Sequence, residues 1–319
     1  MERRLVSKRR VEVSHSCDRI CSQYIPDPGV EPDENPPIFY GTALIRYLTW
    51  IWNLRISYPF QDILQMTDDI SAAFHRILYH PDLAIIFSTV WRDMLVIPVG
   101  NIFGARNSPS HYMLKGELRS HLTQSFPDPS ALPIQDLTTT VILPPDPSPA
   151  EALAFAQASK DSRHHGIRDA YSANPERRQP AFVDDCGNAH IKAHFLTLVN
   201  CSVTAAYILF GHPHEDPARP PCINPIKWQT IVCHLLLFLG YEICTRTMRL
   251  IWPLAKRSKL LIFLDAIIAG QIGPNRTGSS PHECSRVLGL LRHAAPATPG
   301  GLHRSLRFQQ IGRASCRER

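Results

Sequence analysis

The sequence predicts an α+β fold, an antiparallel sheet backed by helices. Three observations carry that prediction. Short β-rich runs come in pairs separated by turn residues. Longer segments of helical period stand between the pairs. The 28 prolines in 319 residues cluster in a few stretches instead of interrupting the packed segments. Hydrophobic residues make up 44% of the chain, enough for a sizeable core. The net charge of +6 suits a polyanionic partner.

The elements follow in order. "ILQMTDD" (63–69) has the strand alternation, with Leu64, Met66 and Asp68 on one face and Ile63, Gln65, Thr67 and Asp69 on the other. Ala72, Ala73, Arg76 and Ile77 suit a short helix that ends before Pro81. Two β-rich runs flank Arg92-Asp93 and predict a hairpin. Ser108 is placed to cap a helix with Pro109 in its first position. "FPDPSALP" and "LPPDPSPA" then predict a poorly packed loop over 126–150, because proline removes ladder donors. "AFVDD" (181–185) opens a second hairpin, and 191–211 reads as a helix with a broad apolar face. "HLLLFLGYEICTRTMRLIW" predicts a hairpin turning near Thr245-Arg246-Thr247, followed by a helix in "PLAKRSKLLIFLDAIIAG". Ser280-Pro281-His282-Glu283 is a capping box before a last helix.

Nine scattered cysteines form no CxxC pair, which predicts reduced thiols inside the cell, in cytoplasm or nucleus. The runs around "TIVCHLLLFLGYEI" and "LLIFLDAIIAG" are too short and charge-interrupted to span a bilayer, so no membrane partner is expected. His164, His165, His190 and His194 lack partners at metal spacing and read as ordinary polar residues. "IGRASCRER" (311–319) resembles a translated sequencing adapter, a non-native tail that is set aside.

The chemistry concentrates in carboxylates. Asp69 ends a strand, and Asp184 and Asp185 sit at a hairpin tip. Two adjacent like charges cost stability unless something positive lies beside them. An Asp-rich turn is the ordinary alternative. If the two strands are neighbours, three carboxylates converge at one end of the sheet, the oxygen-rich setting that hard divalent ions require. Asp68 projects the other way and is expected to matter little to that chemistry.

Five segments in order, "DISAAF", "PVGNIFGARNSPS", "FVDD", "FLGYEI" and "VLGLLRHAAPATPGG", resemble those of the reverse transcriptases of retrotransposons, of the long-terminal-repeat or tyrosine-recombinase type. "DISAAF" is similar to the first palm motif, with Asp69, Ala73 and Phe74. "PVGNIFGARNSPS" is similar to the second, with Gly104, Ser108 and Pro109. "FVDD" resembles the third, with Phe182, Asp184 and Asp185, and "FLGYEI" resembles the primer-grip hairpin. "VLGLLRHAAPATPGG" resembles the segment after the palm.

The resemblance implies a polymerase palm at 61–250 with a Pro-rich insertion at 126–180. It implies partial fingers before it (1–60) and the start of a thumb or connection after it (251–310). It implies RNA-directed DNA polymerase activity with two Mg²⁺ or Mn²⁺ ions on the catalytic carboxylates, Asp69 and Asp184 as the principal ligands with Asp185 beside them in support. Ala73, Phe74, Gly104, Ser108, Pro109, Phe182 and Lys227 would then line the substrate site. Phe74 would lie under the incoming sugar, with a core aromatic as the alternative. Gly104 would let backbone approach template or nucleotide, with a turn glycine as the alternative. Lys227 would stand near the leaving pyrophosphate, with a solvated surface lysine equally open. Arg46 and Arg55 are the candidate cations for the triphosphate, and Lys8, Arg9 and Arg10 would form part of a fingers strand. The implied partners are an RNA or DNA template, a DNA primer and deoxynucleoside triphosphates, within a larger polyprotein. A catalytically inactive remnant that only binds nucleic acid is the alternative. A nucleotide cyclase, also built on a palm, is disfavoured by the FG…SP segment and the LG hairpin.

Overall fold

The computed structural model describes residues 43–102, 108–161, 181–182, 185–215, 220–224, 227–228, 232–269, 289–291 and 294. The chain is α+β: the described residues form helices α1–α7 and eight short strands in three small sheets. It divides into two compact units, and the division falls inside the first strand, between Gln65 and Met66.

The first unit comprises Met1–Leu54, Met66–Pro144 and Gly166–Val232. Its sheet has the order β1 (Ile63–Asp69), β5 (Asp185–Ile191), β4 (Ala181–Phe182), so β5 is the central strand. β4 and β5 are antiparallel, with Ala181 opposite Cys186 and Phe182 opposite Asp185. Helix α1 (Ala43–Ser57) reaches β5 through Trp50, whose indole N–H donates to the Ala189 carbonyl at 2.7 Å. Helices α3 (Ser108–Ser125) and α6 (Lys192–Phe210) pack on each other. α6 is long and apolar enough to cross a membrane by composition, but 67% of it is buried inside the protein, as befits a core helix.

The predicted helix after Asp69 is a single 3-10 turn, Ala73–Arg76. Helix α2 (Pro81–Ala84) leads to the hairpin β2 (Thr89–Trp91) and β3 (Met94–Val96). Its turn residues Arg92 and Asp93 both have positive φ, 48° and 62°, the backbone of a two-residue turn whose twist matches the strands. Gly100 then passes close to the 3-10 turn, and a Cβ there would strike the His75 carbonyl.

The stretch 126–150 carries no strand element, as expected, but it is not loose throughout. In and just before helix α4 (Asp136–Thr139), Thr138 and Gln135 are buried. The Asn200 side chain of α6 accepts from the Gln135 amide at 2.9 Å and from the Thr138 hydroxyl at 3.2 Å.

The second unit comprises Arg55–Gln65, Pro145–His165 and Cys233–Arg319. The expected hairpin is a three-stranded antiparallel meander: β6 (Leu235–Phe238), β7 (Tyr241–Cys244) and β8 (Arg249–Ile251). The turn at Thr245 was expected. The turn at Leu239-Gly240, both at positive φ, is the one the resemblance of "FLGYEI" to a hairpin implies. Helix α5 (Pro149–Asp161) was also not expected. Its start is a capping box: the Ser148 amide donates to Glu151 Oε2 at 2.8 Å and the Glu151 amide to Ser148 Oγ at 3.3 Å, with Pro149 in the first turn. Helix α7 (Leu254–Ile268) lies where the sequence predicts. Of the final helix, residues 289–291 and 294 are described and helical, while Ser280 and Glu283 lie outside the described residues. The five described cysteines are thiols, in keeping with the sequence.

Candidate functional site

The site is built where β1 ends and β5 begins. Asp69 is the last residue of β1 and Asp185 the first of β5. Because the two strands are neighbours, these carboxyls lie close enough for Asp69 to bear on the charge of Asp185. Burial pushes the Asp185 carboxyl above the usual carboxylate range, the neighbouring Asp69 pushes it further, and Lys227 opposes both.

Asp69 is buried and held from the 220–228 segment. The Asn224 amide donates to its Oδ2 at 3.0 Å, and Lys227 Nζ lies 2.8 Å from its Oδ1. The backbones are tied as well: Asn224 N donates to the Asp69 carbonyl at 2.9 Å, and Ser71 N to that of Cys222 at 2.8 Å. Lys227 therefore touches Asp69 while its side chain remains 58% exposed.

Asp68 takes the opposite face, as the alternation predicts, but it is far from idle. Its carboxylate makes a fully buried, two-pronged pair with Arg119 of α3, at 2.7 Å and 2.9 Å. Asn188 of β5 and Ser202 of α6 each donate to Asp68 Oδ2 at 3.1 Å. Arg119 also donates to the Ser202 hydroxyl at 2.7 Å and to Cys186 Sγ at 3.2 Å. Burial works against the Arg119 charge, but Asp68 and then Cys186 outweigh it and hold the guanidinium above its ordinary range. Sequence reasoning missed Arg119. The signal was there: Ser108, Tyr112, Gly116, Arg119 and Thr123 form the inward stripe of α3, and Arg119 is on it.

The other expected site residues divide as follows. Ala73 and Phe74 are buried beside the site strand, with the Phe74 ring edge-on to Tyr112 at 5.9 Å and Tyr112 stacked on Phe210 at 6.2 Å. Ser108 is buried at the start of α3, where its hydroxyl donates to the Ile102 carbonyl at 2.9 Å, and Pro109 follows it. Phe182 is in β4, and its side chain, Asp184 and Gly104 lie outside the described residues, as does Lys8–Arg10. Two cations expected near a triphosphate have structural duties. Arg55 is wholly buried, donating to the carbonyls of Pro59 at 3.0 Å, Gln61 at 2.8 Å and Thr245 at 3.2 Å, and burial lowers its pKa to about 10. Arg46 pairs with Glu117 at 2.9 Å. Of the histidines, His190 is buried and accepts from the Ile191 amide at 2.8 Å, and His194 packs edge-on against it; His164 and His165 lie outside the described residues.

Among the described residues no three His, Cys, Asp or Glu side chains are grouped to hold a metal ion. Asp69 and Asp185 nevertheless form an oxygen-donor pair, the second held above the usual range by burial and then by its neighbour's charge, so a hard divalent cation fits them in charge and chemistry.

No family model matches the chain, and no curated protein matches it. The solved structures that resemble it include two of a foamy viral protein. One is a foamy viral protease-reverse transcriptase in complex with RNA/DNA hybrid, at 13% identity and TM-score 0.40, covering 73% of this chain and 21% of that one. The other is the foamy viral protease-reverse transcriptase dRH in complex with double-stranded DNA, at 14% identity and TM-score 0.46, covering 87% of this chain and 32% of that one. The chain thus spans a fifth to a third of those proteins. At this overlap the likeness carries no argument, and the reading below stands on the site itself.

Proposed function

We propose that the chain is the palm-bearing part of an RNA-directed DNA polymerase of a retroelement. The observation that carries this reading is the meeting of Asp69 and Asp185 at the mouth of one sheet, with Lys227 on Asp69. Asp69 and Asp185, joined by Asp184 of the same hairpin, would hold two Mg²⁺ or Mn²⁺ ions. Those ions supply, when bound, acidification of a primer 3′-hydroxyl and neutralisation of charge on a leaving pyrophosphate.

The chain's own residues do the rest. Asn224 fixes the Asp69 carboxylate by holding Oδ2, which leaves its other oxygen turned to Lys227. Lys227, tethered at Asp69 but largely exposed, offers an ammonium to the phosphates of an incoming nucleotide. Phe74, braced by Tyr112, is the proposed floor under the sugar, where it would favour deoxynucleotides. Ser108 and Pro109 start the helix that backs the site, and Gly104, Ala73 and Phe182 complete the proposed substrate contacts. The net charge of +6 favours the phosphate backbones of template and primer.

The test is extension of a labelled DNA primer on an RNA template by the full chain, with deoxynucleotides and Mg²⁺ or Mn²⁺. Extension that needs the metal and the template supports the reading. Primer–template binding without extension under either metal instead supports the inactive remnant.

A further inference from the structure

The Arg119 guanidinium touches the chain neighbours of both site carboxylates. It pairs with Asp68, the residue before Asp69, and it reaches the sulfur of Cys186, the residue after Asp185. Asn188 and Ser202 close the same network on Asp68 Oδ2. One buried cation therefore ties β1 and β5 to α3 and α6 one residue behind the site. A buried ion pair is a costly way to fill a core, since apolar side chains of similar volume usually do as well or better. Its geometry suits a different task, that of fixing direction. Asp68 and Asp69 share one stretch of β1 backbone, and Cys186 and Asp185 one stretch of β5, so a side chain held behind the sheet fixes the backbone from which its neighbour projects to the opposite face.

We infer that Arg119 is a positioning residue for the Asp69–Asp185 pair, setting the direction of both carboxylates from behind through Asp68 and Cys186. The inference rests on the polymerase reading of that site. Partners one shell behind metal-binding groups change affinity or activity by about 10- to 100-fold when removed.

The experiment compares the full chain with Arg119→Lys, which keeps the charge but loses the fork, and with Ser202→Ala, which removes only the bridging hydroxyl. Mn²⁺ affinity is read by calorimetry and primer extension as kcat and nucleotide KM. All are measured well below each protein's melting temperature, with folding checked by circular dichroism. The expected result for Arg119→Lys is weaker Mn²⁺ binding and a lower kcat, each by about tenfold, with nucleotide KM and primer–template Kd within about twofold. Ser202→Ala should move the same two quantities in the same direction by less, and it carries the test alone if Arg119→Lys does not fold. A merely structural role would lower the melting temperature but leave kcat and Mn²⁺ affinity of the folded protein unchanged, and that result overturns the inference. If the unaltered chain neither binds Mn²⁺ nor extends a primer, the polymerase reading fails first. If it does both and folded variants match it, only the positioning role fails.

Discussion

Asp68 and Asp69 are consecutive in β1, yet one carboxylate is buried against Arg119 and the other faces Lys227. The alternation of the strand sends the two to opposite faces. Their substitutions should therefore part company. Asp68→Asn leaves the buried Arg119 without its counter-charge and should cost about 3–5 kcal/mol. That corresponds to a melting temperature lower by about 10 °C. Asp69→Asn loses a pair with a largely exposed lysine and relieves repulsion with Asp185, so stability should change by less than about 1 kcal/mol. Thermal melts of the two variants check this. Equal destabilisation would contradict the assignment of faces.

Much of this could be read from the sequence, because local signals agreed with the fold. β1 was predicted residue for residue, the Arg92-Asp93 hairpin and α6 fell into place, and the Asp69–Asp185 meeting followed from placing two strands side by side. The misses have physical causes. Helix α5 begins with the same Ser-Pro-x-Glu capping box that was recognised at Ser280, but its proline-rich surroundings masked it. The Leu239-Gly240 turn is legible through the resemblance of "FLGYEI" to a hairpin, whereas periodicity alone reads "LLLFLGYEI" as one apolar run. The Asp68–Arg119 pair was invisible to alternation alone, since alternation says which way a side chain points and not what waits there. Arg55 was misjudged for a related reason: a cation near a helix end was taken for a ligand-binding group when it satisfies the carbonyls of its own loop.

Gly100 should tolerate no side chain. Its backbone lies against the His75 carbonyl, beside hydrogen bonds from Asn101 N to Ile77 O at 2.8 Å and from Tyr79 N to Val99 O at 2.9 Å. Gly100→Ala must push that backbone apart, at a cost of about 1–3 kcal/mol. A urea midpoint equal to that of the unaltered chain would contradict the close approach.

His234 should make the second unit sensitive to acid. Burial holds its imidazole below the ordinary value, an effect that Asp62, 3.2 Å away, opposes and Arg246 reinforces. The Ile63 carbonyl and Glu151 also favour the charged form. Since the folded pKa is lowered, the folded state prefers the neutral ring. Its contribution is full above the unfolded value of about 6.5 and is lost as pH falls through that value toward the folded one. Acidification below about pH 6.5 should therefore lower the stability of the unaltered chain more than that of His234→Asn. Parallel stability–pH curves for the two proteins would contradict this.

In the proposed function Asp69 and Asp185, with Asp184, would hold the metal that drives nucleotidyl transfer, while nucleic acid is bound through its phosphates. The most direct measurement is primer extension on an RNA template by the chain and by Asp185→Asn, alongside primer–template Kd at two salt concentrations. The substitution keeps the shape of the side chain and removes the charge. The account predicts that Asp185→Asn lowers extension by about 100-fold or more while leaving Kd and its salt dependence unchanged. Extension that persists undiminished in Asp185→Asn would contradict it.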